Sequence, residues 1–143
     1  MRHSILSFLT PVFALLMCAG AAQADGAKPV NSGPVVRGVD LGPRPATANP
    51  GDPTGKTCDF SKEDVNPAGQ MTGASVNCSP DGTVAPLVVN LPTRFTAYCV
   101  VRSAPVKSAR LLQAPLPSNA THCDLSGITP KDATQQFGGA VWR

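Results

Sequence analysis

Four cysteines carry the strongest chemical signal in the chain. Cys58, Cys78, Cys99 and Cys123 stand 20, 21 and 24 residues apart. Zinc sites pair their ligands about two to four residues apart, and dithiol redox centres use C-x-x-C. This spacing fits neither. Widely spaced cysteines in even number, in a small chain bearing an export signal, read as two disulfides. Three pairings satisfy the count, and the shorter loops of 58–78 with 99–123 close most readily.

The remaining reactive groups are sparse. His122 is the one histidine outside the first 24 residues. A histidine can serve as base or ligand, yet no G-x-S-x-G elbow or comparable motif places a serine beside it. Asp59, Glu63 and Asp64 cluster after Cys58. Paired carboxylates suit glycoside cleavage or calcium, but the spacing matches no calcium loop and a solvated turn is expected. Gly51-Asp52-Pro53-Thr54-Gly55-Lys56-Thr57 has three residues between its glycines. The phosphate loop needs four, so nucleotide binding is not expected. No metal or cofactor motif appears. Arg94, Arg102, Lys107 and Arg110 form a basic run without an acid. It is a candidate surface for an acidic partner or an anionic envelope lipid or glycan. Asn119-Ala120-Thr121 and Asn77-Cys78-Ser79 are formal glycosylation sequons, relevant only in a host that glycosylates its secreted proteins.

Strands must position these groups. Ala74–Cys78 is a short candidate strand, followed by a turn at Ser79-Pro80-Asp81-Gly82. Thr83–Leu91 is rich in β-branched residues and reads as a strand, with Pro86 implying an edge or bulge. Phe95–Arg102 is the best strand. Phe95, Ala97, Cys99 and Val101 share one face; Thr96, Tyr98, Val100 and Arg102 share the other. Apolar residues on both faces predict a central position. Val106–Gln113 is expected to return as its neighbour, giving an antiparallel meander of about four strands. Thr129, Pro130 and Asp132 mark a helix start, and Gly138-Gly139 its end. The expected fold is therefore mainly β: a small antiparallel sandwich or meander with two disulfides and a short C-terminal helix.

The N-terminal third has a different character. Met1-Arg2-His3, an apolar run from Ile5 to Met17 and Ala22-Gln23-Ala24 follow the layout of a secretory signal. The run is broken by Ser7, Thr10 and Pro11 and is shorter than the roughly 20 residues that span a bilayer. Residues 1–24 are therefore expected to be removed, leaving no transmembrane segment and a periplasmic or secreted protein. Cys18 would leave with them; Met17 before it does not suit lipidation. Residues 25–56 carry six prolines and read as a disordered arm. Val35, Val36, Val39 and Leu41 are its candidate anchors on a partner. Residues 57–143 form the disulfide-stabilised domain. Loss of Arg2 leaves 11 Lys+Arg against 9 Asp+Glu, or +2. That balance does not predict nucleic-acid binding. Trp142, the one tryptophan, is either a core pin or an interface anchor.

In its leader, size and lack of any redox motif, the chain resembles the small, cofactor-free third subunit of membrane-bound quinohaemoprotein alcohol dehydrogenase complexes. The resemblance implies an accessory subunit that stabilises a dehydrogenase without doing chemistry. The expected function is accordingly that of an exported, non-enzymatic accessory protein bound to another exported protein. The alternatives are an envelope adhesion module using the basic run, and a small secreted hydrolase using His122 with Asp59, Asp64 or Asp124.

Overall fold

The computed structural model describes residues 27–80, 82–102 and 106–143. The leader 1–24, with Cys18, lies outside them, as do Asp81 of the expected turn and residues 103–105. Eight strands follow in chain order: β1 (Lys28–Pro29), β2 (Val35–Val39), β3 (Pro53–Thr57), β4 (Ala74–Cys78), β5 (Ala97–Val101), β6 (Arg110–Gln113), β7 (His122–Ser126) and β8 (Gly139–Trp142). Helix α1 (Val84–Val89) lies between β4 and β5, and α2 (Pro130–Phe137) between β7 and β8. The strands form one sheet in the order β1-β6-β7-β4-β2-β5-β8-β3. Every neighbouring pair is antiparallel.

The mainly β, disulfide-bonded architecture and the C-terminal helix match expectation. Thr129 accepts a hydrogen bond from the Asp132 amide at 3.2 Å, Pro130 occupies the first turn, and Gly138 closes the helix at φ +66°. That positive φ is the reason a glycine stands there. β5 is central, as the apolar character of both its faces predicted.

The strand order departs from a meander. Only β6 and β7 are neighbours both in sequence and in the sheet. The segment read as a strand at 83–91 is largely α1. Val84, Leu87, Val88 and Leu91 recur at helical spacing, and all four pack around Val36. Pro86 falls in the first helical turn, where its missing N–H removes no intrahelical bond. β2 takes the vacated place beside β5, and β6 pairs instead with β1 and β7.

β2 comes from the segment read as a flexible arm. From Lys28 onward that segment supplies β1, β2 and β3, and Val35 and Val36 are both 0 % exposed. Neither is available to a partner. Val39 pairs with Ala97, and the Leu41 amide donates to Thr96 Oγ1. These four residues anchor the arm to its own domain. Proline and glycine content signalled a linker, but the run Val35–Val39 has somewhere to go: it fills the slot between β4 and β5, pairing along its whole length with β5 and through Val35 and Val36 with β4.

The main core lies on one face of the sheet. Val35, Val76, Ala97, Leu111 and Leu125 face Phe60, Met71, Ala133 and Phe137, which arrive from the 58–71 loop and α2. The rings of Phe60 and Phe137 meet at 5.1 Å. Both disulfides sit in this core: Cys58 with Cys99, and Cys78 with Cys123. The expected pairing of near neighbours is thus incorrect. Its entropic advantage over the observed loops is only about 0.6 kcal/mol per loop, whereas the antiparallel register of β4 and β7 brings Cys78 and Cys123 to a Cα separation of 5.9 Å. Trp142 packs half-buried against the same core and exchanges backbone hydrogen bonds with Gly51 and Asp52.

Candidate functional site

The opposite face of the sheet carries two unlike halves. Over β2 and β5, α1 buries Val36 beneath Leu87 and Leu91. Over β4 and β7 the surface is polar. The register sets Asn77 opposite His122 and Ser75 opposite Asp124, so all four point to the same side. A cavity of about 400 Å³ opens between this polar patch and the loops that follow α1 and β6. Its walls include Arg37, Ser75, Asn77, Leu91, Pro92, Arg94, Phe95, Leu116, Asn119 and His122.

The floor of the cavity is held by a buried amide network. Asn77 is 1 % exposed and Asn119 6 %. The Asn77 Nδ2 donates to the Leu87 carbonyl at 2.7 Å, and Asn119 Nδ2 donates to Asn77 Oδ1 at 2.7 Å. Asn119 Oδ1 accepts from the Thr121 amide and hydroxyl. The network therefore ties α1, β4 and the 116–121 turn together. Both residues head formal glycosylation sequons, but their amide nitrogens are consumed inside the fold.

His122 is fixed by two contacts. Its Nδ1 lies 2.7 Å from the Ala114 carbonyl, which can only accept, so Nδ1 carries the proton in the neutral ring. Nε2 is then an acceptor, and Ser75 Oγ donates to it at 3.1 Å. Asp124 Oδ1 lies 3.9 Å from that same Nε2. Ser75 was not recognisable in the sequence. The signal that finds it is the strand register, which sets the 75–77 and 122–124 segments side by side.

Arg37 lines the cavity from between the strands. Pairing of β2 with β4 covers only Val35 and Val36. Beyond it, Arg37 Nη1 donates to the Ser75 carbonyl at 2.9 Å, and its Nη2 pairs with Glu63. The guanidinium also lies 4.7 Å over the Phe60 ring. Gly38 follows, and the Phe95 ring rests on it: a Cβ there would come within 2.4 Å of Phe95 Cδ2. On the same ring stacks the guanidinium of Arg94, at 4.7 Å. Arg143 braces this wall from behind, donating to the carbonyls of Val89, Leu91, Pro92 and Phe95. Nothing in the sequence singled out Arg37 or Arg143.

The other candidates disperse. Arg94 and Arg102 flank opposite ends of β5, and Arg110 lies on β6, four strands away or roughly 19 Å. The Lys107 backbone is bound to Gln136 of α2. The basic run is not one patch. Of the acids, Glu63 is spent on Arg37. Hydrogen bonds from the Ser61 amide and hydroxyl lower the pKa of Asp59, aided by Lys62 and Arg37, so it stays ionised where an acid catalyst would need its proton. Asp64 is exposed and lies outside the cavity. The phosphate-loop lookalike is largely edge strand β3, paired with β8. Among the described residues, no group of three or more metal-ligating side chains converges, and no helix is long and apolar enough to cross a membrane.

The fold and site define a small disulfide-bonded antiparallel β protein with a part-polar pocket on one face of its sheet. Protein RhiC of Rhizobium leguminosarum bv. viciae is 66 % identical over 119 residues, a match covering 82 % of this chain and 77 % of that protein. The chain belongs to the RhiC family. No protein-family model matches it, and no solved structure does.

Proposed function

We propose that the protein is exported and acts as a non-enzymatic accessory protein, holding another exported protein through the pocket over Ser75, Asn77 and His122. The pocket is the observation that carries this role. It is concave, part apolar, walled by a phenylalanine and an arginine, both enriched at protein interfaces, and floored by paired strands. Export is supported by the leader, with its Ala22-Gln23-Ala24 site, and by two buried disulfides of the kind that persist in oxidising compartments. The location proposed is the periplasm or the exterior of the cell. The resemblance to a cofactor-free third subunit supplies one partner to test, a membrane-associated quinone-cofactor dehydrogenase. Isolation of the native protein from fractionated cells is the test. A one-to-one complex outside the cytoplasm is expected; free protein without any partner overturns the role.

One contact favours a second role. Ser75 Oγ, hydrogen-bonded to an Nε2 already in the accepting tautomer, has the geometry of a serine nucleophile beside its base. In an ester hydrolase, Oγ would attack the acyl carbon, Nε2 would take its proton and pass it to the leaving alcohol, and water would release the acid. The binding role is preferred because a backbone carbonyl, not a carboxylate, holds Nδ1, and Asp124 stands beside the wrong nitrogen. The binding role predicts that a fluorophosphonate probe leaves Ser75 unmodified. Stoichiometric labelling at Ser75, absent in Ser75→Ala and reduced in His122→Ala, would establish the hydrolase instead.

A further inference from the structure

The charges around the pocket are unevenly spent. Arg37 is committed to Glu63 and to the Ser75 carbonyl. Among the described residues, Arg94 makes no ion pair. It contacts the Phe95 ring instead. A guanidinium held over a ring face keeps its N–H donors available, and such a fork can grip a carboxylate with two parallel hydrogen bonds. Three of the neutral polar side chains, Ser75, Asn77 and Asn119, are spent as well. Asn77 and Asn119 bond each other and the backbone, and the Ser75 hydroxyl donates to His122 Nε2. A neutral polar ligand would thus find few free donors. The walls beside Arg94 are apolar: Leu91, Pro92, Phe95 and Leu116. With the Arg37–Glu63 pair balanced, Arg94 is the one unpaired guanidinium among the described residues of the cavity lining.

We infer that the pocket takes a carboxylate carried on an apolar body, presented by the partner protein, with Arg94 as its counter-charge. This rests on the accessory role proposed above and names the chemistry of its docking site. A cavity of about 400 Å³ seats one acidic residue and an apolar neighbour. The Arg94–Phe95 stack supplies both halves of the recognition, charge along its edge and apolar surface around it.

The experiment titrates the intact disulfide-bonded protein with benzoate and with benzamide, its neutral analogue of nearly equal shape. Amide chemical shifts of Ser75, Phe95 and His122 are the readout. Benzoate is expected to bind at least ten-fold more tightly than benzamide. Arg94→Gln should remove the preference and Arg94→Lys retain part of it, while Arg102→Gln, at the far end of β5, leaves it unchanged. Excess benzoate, but not benzamide, should then release the partner from the native complex. Equal affinities, no binding of either probe, or a preference that survives Arg94→Gln overturns the inference, even if the partner remains bound and the accessory role stands. Benzoate binding without release of the partner overturns the partner as the source of the carboxylate and makes the pocket a site for free organic acids. If benzoate binds through Arg94 but no partner exists, the accessory role fails and the anion chemistry survives.

Discussion

Replacing Cys78 and Cys123 together by alanine should cost about 4 kcal/mol of stability, the value for opening a covalent loop of this length in the unfolded chain. The bridge spans 45 residues and joins β4 to β7 near the middle of the sheet. A domain of this size is stable by roughly 5–15 kcal/mol in total. The loss should therefore appear as a fall of roughly 15 °C in the melting temperature. Calorimetry of the oxidised wild type against the double variant measures it. Because Cys78 and Cys123 immediately adjoin Asn77 and His122 on the same two strands, the variant should also broaden the amide signals of the pocket floor. The Cys58–Cys99 bridge closes a loop of similar length, and its removal should cost a similar amount while leaving the signals of Asn77 and His122 sharp. A loss below about 1 kcal/mol for Cys78/Cys123 would mean that the reduced chain retains most of the same order.

Asn77→Leu should be nearly as damaging, by about 2–4 kcal/mol, although leucine is similar in size and more apolar. The substitution strips the Leu87 carbonyl of its donor and the Asn119 amide of its acceptor, and an unpaired buried polar group costs roughly 1–3 kcal/mol. The end of α1 would lose its tie to β4. Denaturant unfolding of Asn77→Leu, Asn119→Leu and the double variant tests the network directly. Once Asn77 is gone, the Asn119 amide has no partner left to lose, so the double variant should cost at least about 1 kcal/mol less than the two single losses added. Strict additivity would show that the two side chains do not act as a pair.

How much of this was legible in the sequence depended on how local each signal is. The α2 boundaries could be read residue by residue, because capping by Thr129, Pro130 in the first turn and Gly138 at the end are short-range effects. β5 could be read as central because its own two faces carry the information. α1 was misread because valine and proline composition suggested a strand, while the spacing of Val84, Leu87, Val88 and Leu91 held the helical answer. The disulfide pairing and the place of β2 depend on which distant strands become neighbours, and no spacing along the chain encodes that. The candidate site failed for the same reason. Ser75 and His122 are 47 residues apart, and only the β4–β7 register joins them. Arg94 was visible as a charge but was grouped with Arg102 and Arg110, from which the sheet separates it. Gly38 looked like linker composition, yet it is the floor on which Phe95 rests.

The most direct test of the pocket as the working surface compares two proteins isolated natively from cells: the wild type and Leu116→Glu. Leu116 is 47 % exposed at the pocket rim, so glutamate there should leave the melting temperature unchanged while placing a bulky negative charge at the mouth, opposite Arg94's intended ligand. The wild type is expected to emerge with its partner at one-to-one ratio, and Leu116→Glu to emerge alone. A Leu116→Glu protein that keeps its partner in full would contradict the pocket as the working surface.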